Sequence, residues 1–245
     1  MNIIATADIH SPRYLALFMK SFKEINVDPD LIILAGDLVE KNNVSALKPV
    51  YEFLLGKYSG KPIVAVYGNE EFRGYEYRYK ELYREFIWLN DEYIVLNIKE
   101  QKVAVIGTRG ALDKPTTWQA RNIPGIYQYY SELPAKIAKL IDEARGKGVD
   151  TIILVSHYGV TYKDLDGEPR SIWPHLACSR FEKIIVSKEI DLVIHGHAHN
   201  GLKELVYIGK TPVYNVSLPA RGRVMYIKFE KIRETRKTSL DKWFK

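Results

Sequence analysis

Seven side chains able to hold a metal stand directly after apolar runs: Asp8 and His10, Asp37, Asn69, His157, and His197 with His199. The last two lie in His195-Gly196-His197-Ala198-His199, and only His175 of the six histidines lies outside these blocks. Neutral imidazole binds borderline transition metals and carboxylate accepts most divalent ions. The mixture therefore suits Mn, Fe, Zn, Ni or Co better than Ca or Mg alone. Two ions need a shared ligand. A carboxylate can hold them about 3.5 to 4 Å apart, where they jointly activate water and neutralise phosphoryl oxygens; Asp37 is the candidate bridge. Taken singly, Asp8-x-His10 reads as a capping turn, Gly36-Asp37 and Gly68-Asn69 as ordinary turns, and His157 as a structural histidine. Taken together, in order and each after a strand, they read as one site.

The elements that position these residues repeat as strand, polar turn, helix. Strands are expected at 2–7, 31–35, 63–67, 151–155 and 192–194, with a pair at 93–98 and 103–107. Ser11-Pro12 reads as an N-cap followed by a first-turn proline, and helical period marks about 44–58, 76–88, 132–147 and 181–188. A long loop containing Pro115 and Pro124 is expected before 132, and 205–208, 213–216 and 224–229 read as a β meander. Ligand sites form outside the carboxyl ends of strands in α/β sheets, so five distant loops can converge there.

With 245 residues, 46% hydrophobic and 27% charged, the composition is globular, and no apolar run is long enough for a bilayer. The expectation is one domain over 1–230 and a basic tail over 231–245, which holds much of the net charge of +6. The N-terminus enters a strand without a leader pattern, and a lone Cys178 fits a reducing compartment. A cytoplasmic protein without membrane partners is expected. Abundant Lys, Glu, Ile and Tyr resemble heat-adapted composition.

The ordered blocks resemble the calcineurin-like metallophosphoesterase superfamily, whose pattern runs D-x-H, G-D, G-N-H-[DE], H, G-H-x-H. The match runs from Asp8 to His199. The resemblance implies a four-layer α/β/β/α sandwich of two mixed sheets flanked by helices. It implies two divalent metal ions, one held by Asp8, His10, Asp37 and His199, the other by Asp37, Asn69, His157 and His197. The third block departs from the pattern, reading Gly68-Asn69-Glu70-Glu71. In the family the missing histidine is thought to protonate the leaving group, a role worth roughly 10²–10⁴-fold.

The expected reaction is in-line attack of a metal-bridging hydroxide on a phosphodiester or phosphomonoester, with diesters favoured. Asp37, Asn69 and His157 position hydroxide and phosphate. Glu70 is a candidate acid or a residue orienting Asn69, although two cations oppose the raised pKa an acid needs. Arg109 is the favoured substrate cation, ahead of Arg170, Arg221 and Arg223. The substrate is a phosphate ester, with nucleotides and nucleic acid included because 75–79 and 127–130 carry tyrosines able to stack on bases. The alternative is a metal-binding interaction module on the same fold with weak or no catalysis.

Overall fold

The computed structural model describes residues 1–231; residues 232–245, nearly all of the expected basic tail, lie outside the described residues. The chain first alternates strand and helix: β1 (Asn2–Thr6), α1 (Leu15–Glu24), β2 (Leu31–Ala35), α2 (Lys48–Lys57), β3 (Ile63–Val66), α3 (Glu76–Leu82) and β4 (Ile87–Leu89). A hairpin of β5 (Glu92–Ile98) and β6 (Gln101–Thr108) leads to α4 (Thr117–Asn122) and α5 (Ile126–Arg145). Then follow β7 (Thr151–Ser156), α6 (Phe181–Ser187), β8 (Leu192–His195), β9 (Leu205–Ile208), β10 (Thr211–Asn215), α7 (Leu218–Arg221) and β11 (Met225–Lys228).

Two mixed sheets result, ordered β11-β1-β2-β3-β4 and β5-β6-β7-β8-β10-β9. The period of two along each strand explains how they stack. Ile3, Ala5, Ile33, Val64 and Val66 of the first sheet share a core with Val103, Val105, Ile153, Val155 and Ile194 of the second. Their neighbours Ile4, Ile32, Leu34 and Ala65 face α1 and α2, while Ala104, Ile106, Ile152 and Leu154 face α5 and α6. Strands buried on both faces must be apolar at every position, which is why the central ones read as unbroken hydrophobic runs. The product is the expected α/β/β/α sandwich.

Four local expectations change. The stretch from 76 to 88 is not one helix: α3 ends at Leu82, and β4 pairs parallel to β3. Trp88 there stacks on Tyr67 at 4.7 Å between centroids, so a short aromatic run gains more from the sheet than from a further helical turn. Ser11 does not cap α1; its hydroxyl donates to the Ala46 carbonyl at 2.6 Å, and the helix begins at Leu15. The long proline loop contains α4, closed by a Thr116–Gln119 capping box, and α5 starts at Ile126 rather than 132. The meander is broken. β9 and β10 pair in the second sheet, whereas β11 crosses to pair antiparallel with β1 in the first, putting Met225 and Ile227 into the inter-sheet core.

No helix among the described residues is long and apolar enough to cross a membrane. Cys178 is buried and free, packed in the core beneath α5 and α6.

Candidate metal centre

The carboxyl ends of β1, β2, β3, β7 and β8 deliver all seven expected ligands to one place. Asp8, His10, Asp37 and His197 all have positive φ, at 57°, 42°, 50° and 69°. Non-glycine residues enter this region at a cost of about 1–3 kcal/mol each, and such strain collects at functional sites. Backbone bonds hold the turns against one another: Asp8 N–H donates to the Gly36 carbonyl at 2.9 Å and His10 N–H to the Asp37 carbonyl at 3.0 Å. The motif glycines are matters of space. A Cβ on Gly68 would overlap the Asp37 carboxylate, and one on Gly196 would overlap Ala7 and come within 2.9 Å of Asp8 Oδ2.

Two ligand groups emerge, Asp8 with His10 and His199, and Asp37 with His157 and His197, each with donor atoms within 4.8 Å of one another. Asp37 Oδ2 lies between them, 3.7 Å from His10 Nε2 and 3.5 Å from His157 Nε2. The residues fit divalent cations on chemical grounds. His10 Nε2 is buried without a hydrogen-bond partner, and Asp8 Oδ1 faces only His199 Nε2, at 3.3 Å. In the second group, His157 Nδ1 donates to the Ala35 carbonyl at 3.1 Å, so the neutral ring turns a lone pair on Nε2 toward the site. That lone pair faces Asn69 Oδ1 at 3.1 Å and Asp37 Oδ2 at 3.5 Å. Three acceptors converge with no donor among them, and a cation resolves the conflict.

The charges agree. Burial, then the neighbouring Glu71 and Asp8 carboxylates, push the Asp37 carboxyl well above the usual range. Burial also raises Asp8, but His199 and His157 outweigh it and hold that carboxyl low. Burial pushes His157 well down and His197 to about 4, keeping both neutral as metal ligation requires. A histidine depressed in the fold contributes stability that is present above its unfolded pKa and lost as pH falls through the folded one. In the metal-free protein, stability is therefore expected to decline from about pH 6.5 toward 4. Denaturant melts at several pH values should show a shallower decline for His197→Gln than for the parent; an equal slope would refute the assignment.

A functional residue that the sequence reading passed over is Glu71. It is fully buried, and its carboxylate accepts four backbone N–H groups: Asp37 at 2.9 Å, Gly68 at 2.6 Å, Leu38 at 2.7 Å and Val39 at 3.2 Å. It ties the Asp37 loop to the Asn69 loop. The acidic position closing the G-N-H-[DE] pattern was the available signal.

Glu70 stands at the mouth of the site. Its Oε2 accepts the Lys41 N–H at 2.6 Å, Oε1 lies 3.4 Å from Asn69 Nδ2, and its own N–H donates to Asp37 Oδ1 at 2.7 Å. Arg109 is 2% exposed. Its guanidinium donates to the Gly68 carbonyl and, at 2.6 Å, to the Glu71 carbonyl, and pairs with Glu76 at 3.2 Å. The structure thus spends that cation on the Asn69 loop. Arg221 is bound to the Gly201 and Leu202 carbonyls, Arg223 pairs with Glu204, and Arg170 lies over Trp173. His195 points away from the ligands into a buried pair with Asp164 at 2.6 Å. His175 lies on a 3₁₀ turn overhanging the site, where its backbone meets the His197 ring. Tyr75, Tyr77 and Tyr127 are exposed, whereas Tyr79 and Tyr130 are core residues.

Fold and site together define a protein of the metal-dependent phosphoesterase class. Residues 1–201 match the calcineurin-like phosphoesterase family, and the chain belongs to it. No curated protein matches the chain. Among solved structures, the phosphopantetheinyl hydrolase of Mycobacterium tuberculosis superposes with a TM-score of 0.60 at 14% identity, over 91% of this chain and 95% of that one. The calcineurin-like phosphoesterase YfkN of Bacillus subtilis gives 0.55 at 20% identity, over 95% and 86%. A 5'-nucleotidase precursor from Thermus thermophilus gives 0.55 at 17%, over 94% of this chain and 52% of that one. At these identities the likeness is one of fold.

Proposed function

We propose that the chain is a phosphoesterase dependent on two divalent metal ions, with Asp8, His10, Asp37 and His199 holding one and Asp37, Asn69, His157 and His197 the other. The observation that carries this reading is the place of Asp37 Oδ2 between two convergent ligand groups. When bound, the ions supply activated water and neutralise charge on phosphoryl oxygens. The protein's own contribution is preorganisation. The Ala35 carbonyl fixes the His157 tautomer, Asp8 Oδ2 accepts the His197 N–H at 2.9 Å, and Glu71 with Arg109 sets the Asn69 loop. Arg109 acts through that loop and does not touch the phosphate.

Glu70 serves as a loop clasp. Its Oε2 is engaged by the Lys41 N–H at 2.6 Å, and no histidine stands at this position to protonate a leaving group. Phosphodiesters with good leaving groups are therefore preferred to alkyl monoesters, and nucleotides or nucleic acid belong to the substrate range. Turnover of bis(4-nitrophenyl) phosphate and 4-nitrophenyl phosphate with Mn²⁺, Ni²⁺ or Zn²⁺, against chelator-treated protein, tests the reading. If no metal supports turnover of either, the interaction module is the better account. Glu70→His is expected to raise turnover of an alkyl phosphomonoester by roughly 10²-fold or more, the worth of a general acid. It should change the aryl diester far less. No gain on the monoester would show that proton donation is not what limits it.

A further inference from the structure

His195 stands two residues before His197 but belongs to neither ligand group. Each of its ring nitrogens meets an oxygen that only accepts. Nε2 donates to Asp164 Oδ2 at 2.6 Å, and Nδ1 donates to the Gly196 carbonyl at 2.9 Å. Neither side chain is exposed to solvent. The Gly196 carbonyl belongs to the same peptide unit as the His197 N–H. That unit is planar, so fixing its oxygen fixes the direction of its hydrogen. The hydrogen goes to Asp8 Oδ2 at 2.9 Å. A continuous line of contacts therefore runs from Asp164 through His195 and one peptide to Asp8 in the first ligand group and His197 in the second.

Asp164 is itself held in place. It lies on the excursion between β7 and α6, whose Leu165 and Ala177 pack with Ala198. Four residues on, Glu168 accepts the Asn200 N–H at 2.7 Å and Asn200 Nδ2 at 3.1 Å, so the excursion grips the segment on both sides of the ligand histidines. What is gripped is a costly conformation, with His197 at φ 69° next to a glycine whose Cβ would overlap Ala7. A wholly buried ionisable pair is a poor device for stability alone. Asp164 Oδ1 has no hydrogen-bond partner among the described residues, and apolar side chains of similar shape often stabilise a core as well or better.

We propose that Asp164 and His195 are positioning residues of the metal centre: through the Gly196 carbonyl they set the Gly196–His197 peptide so that its N–H meets Asp8, holding one ligand of each group in register. This rests on the two-metal reading above.

The test is calorimetric titration of the chelator-treated full chain with Co²⁺, with the visible absorption of the bound ion followed in parallel. The parent should take up two ions. The double variant Asp164→Leu with His195→Phe removes both polar groups together and keeps their shapes, so its Tm in chelator should stay near the parent's. Its affinity for both ions should nonetheless fall by roughly 10–100-fold, the usual cost of losing an outer-shell partner, and the Co²⁺ bands should shift. Asp164→Asn, which can still pair with the ring, should lose less. Thr161→Val removes a 2.6 Å bond to Glu182 in the same excursion and should leave metal affinity unchanged. Should the double variant not fold, His195→Gln, whose single donor nitrogen cannot reach both acceptors, is read in the same way. Variants that bind both ions as tightly as the parent overturn the assignment, as does an equal loss in Thr161→Val. A parent that binds no Co²⁺ sinks the two-metal reading and this inference with it, whereas tight binding by parent and variants alike sinks the inference alone.

Discussion

Asp37→Asn is expected to cut metal-dependent turnover of an aryl phosphodiester on the order of 10³-fold and at the same time to stabilise the metal-free protein. The first effect follows from the place of Asp37 Oδ2 between the two ligand groups, where a neutral amide is a far poorer ligand. The second follows from the electrostatics of the unloaded site. Burial and the Glu71 and Asp8 carboxylates raise the Asp37 carboxyl well above its ordinary value. Such a group contributes stability that is fully present below the unfolded carboxylate pKa and lost as pH rises through the folded one. At neutral pH the metal-free fold bears the resulting penalty, and each pKa unit is worth about 1.4 kcal/mol. Asparagine tolerates the left-handed backbone at φ 50° and its Oδ1 can still accept the Glu70 N–H, so the penalty is removed without new strain. Chemical denaturation with chelator should show the variant more stable than the parent, and with Mn²⁺ the order should reverse. A variant that is less stable without metal, or that keeps its turnover, would defeat this account.

Glu71→Ala is expected to lose about 4 kcal/mol or more, because each of four buried backbone N–H groups deprived of its acceptor costs roughly 1–3 kcal/mol unless water replaces it. For a chain of this size that is a fall in Tm of roughly 10 °C or more. Glu71→Gln keeps one acceptor oxygen and should lose about half as much. Activity should fall in both even where the protein remains folded, since Asp37 and Gly68 are held by the same oxygen, Oε2, at 2.9 and 2.6 Å. Tm near the parent's in Glu71→Ala would mean that the loops are secured elsewhere, by Arg109 on the Gly68 and Glu71 carbonyls.

Most of the element order and the candidate ligands were legible from local sequence, and the reasons are physical. A parallel strand buried on both faces must be continuously apolar, and the polar residue that ends it must lie at the sheet's carboxyl edge. Asp8, Asp37, Asn69, His157 and His197 could be named on that ground before their distances were known. The glycines beside them mark the close backbone approaches that Gly36, Gly68 and Gly196 permit.

Other features depended on partners distant in the chain. Met225 to Lys228 alternates buried and exposed residues, a pattern that suits either sheet edge; only the fold sends it to β1. The stretch from 76 to 88 is aromatic enough for helix or strand, and the Tyr67–Trp88 stack decides.

Charged side chains show the same division most sharply. Arg109, Arg73 and Arg221 look alike as arginines in polar loops, and a sequence names their charge but not what faces it. Arg109 meets the Gly68 and Glu71 carbonyls, Arg221 those of Gly201 and Leu202, and Arg73 the Tyr129 ring. The sequence by itself determined which atoms can bind metal, because donor chemistry and strand ends are local properties. Only the tertiary structure decided that Glu71 ties two candidate ligand loops together and that Arg73 lies on the Tyr129 ring, because the neighbours that set a charge's role come from other parts of the chain.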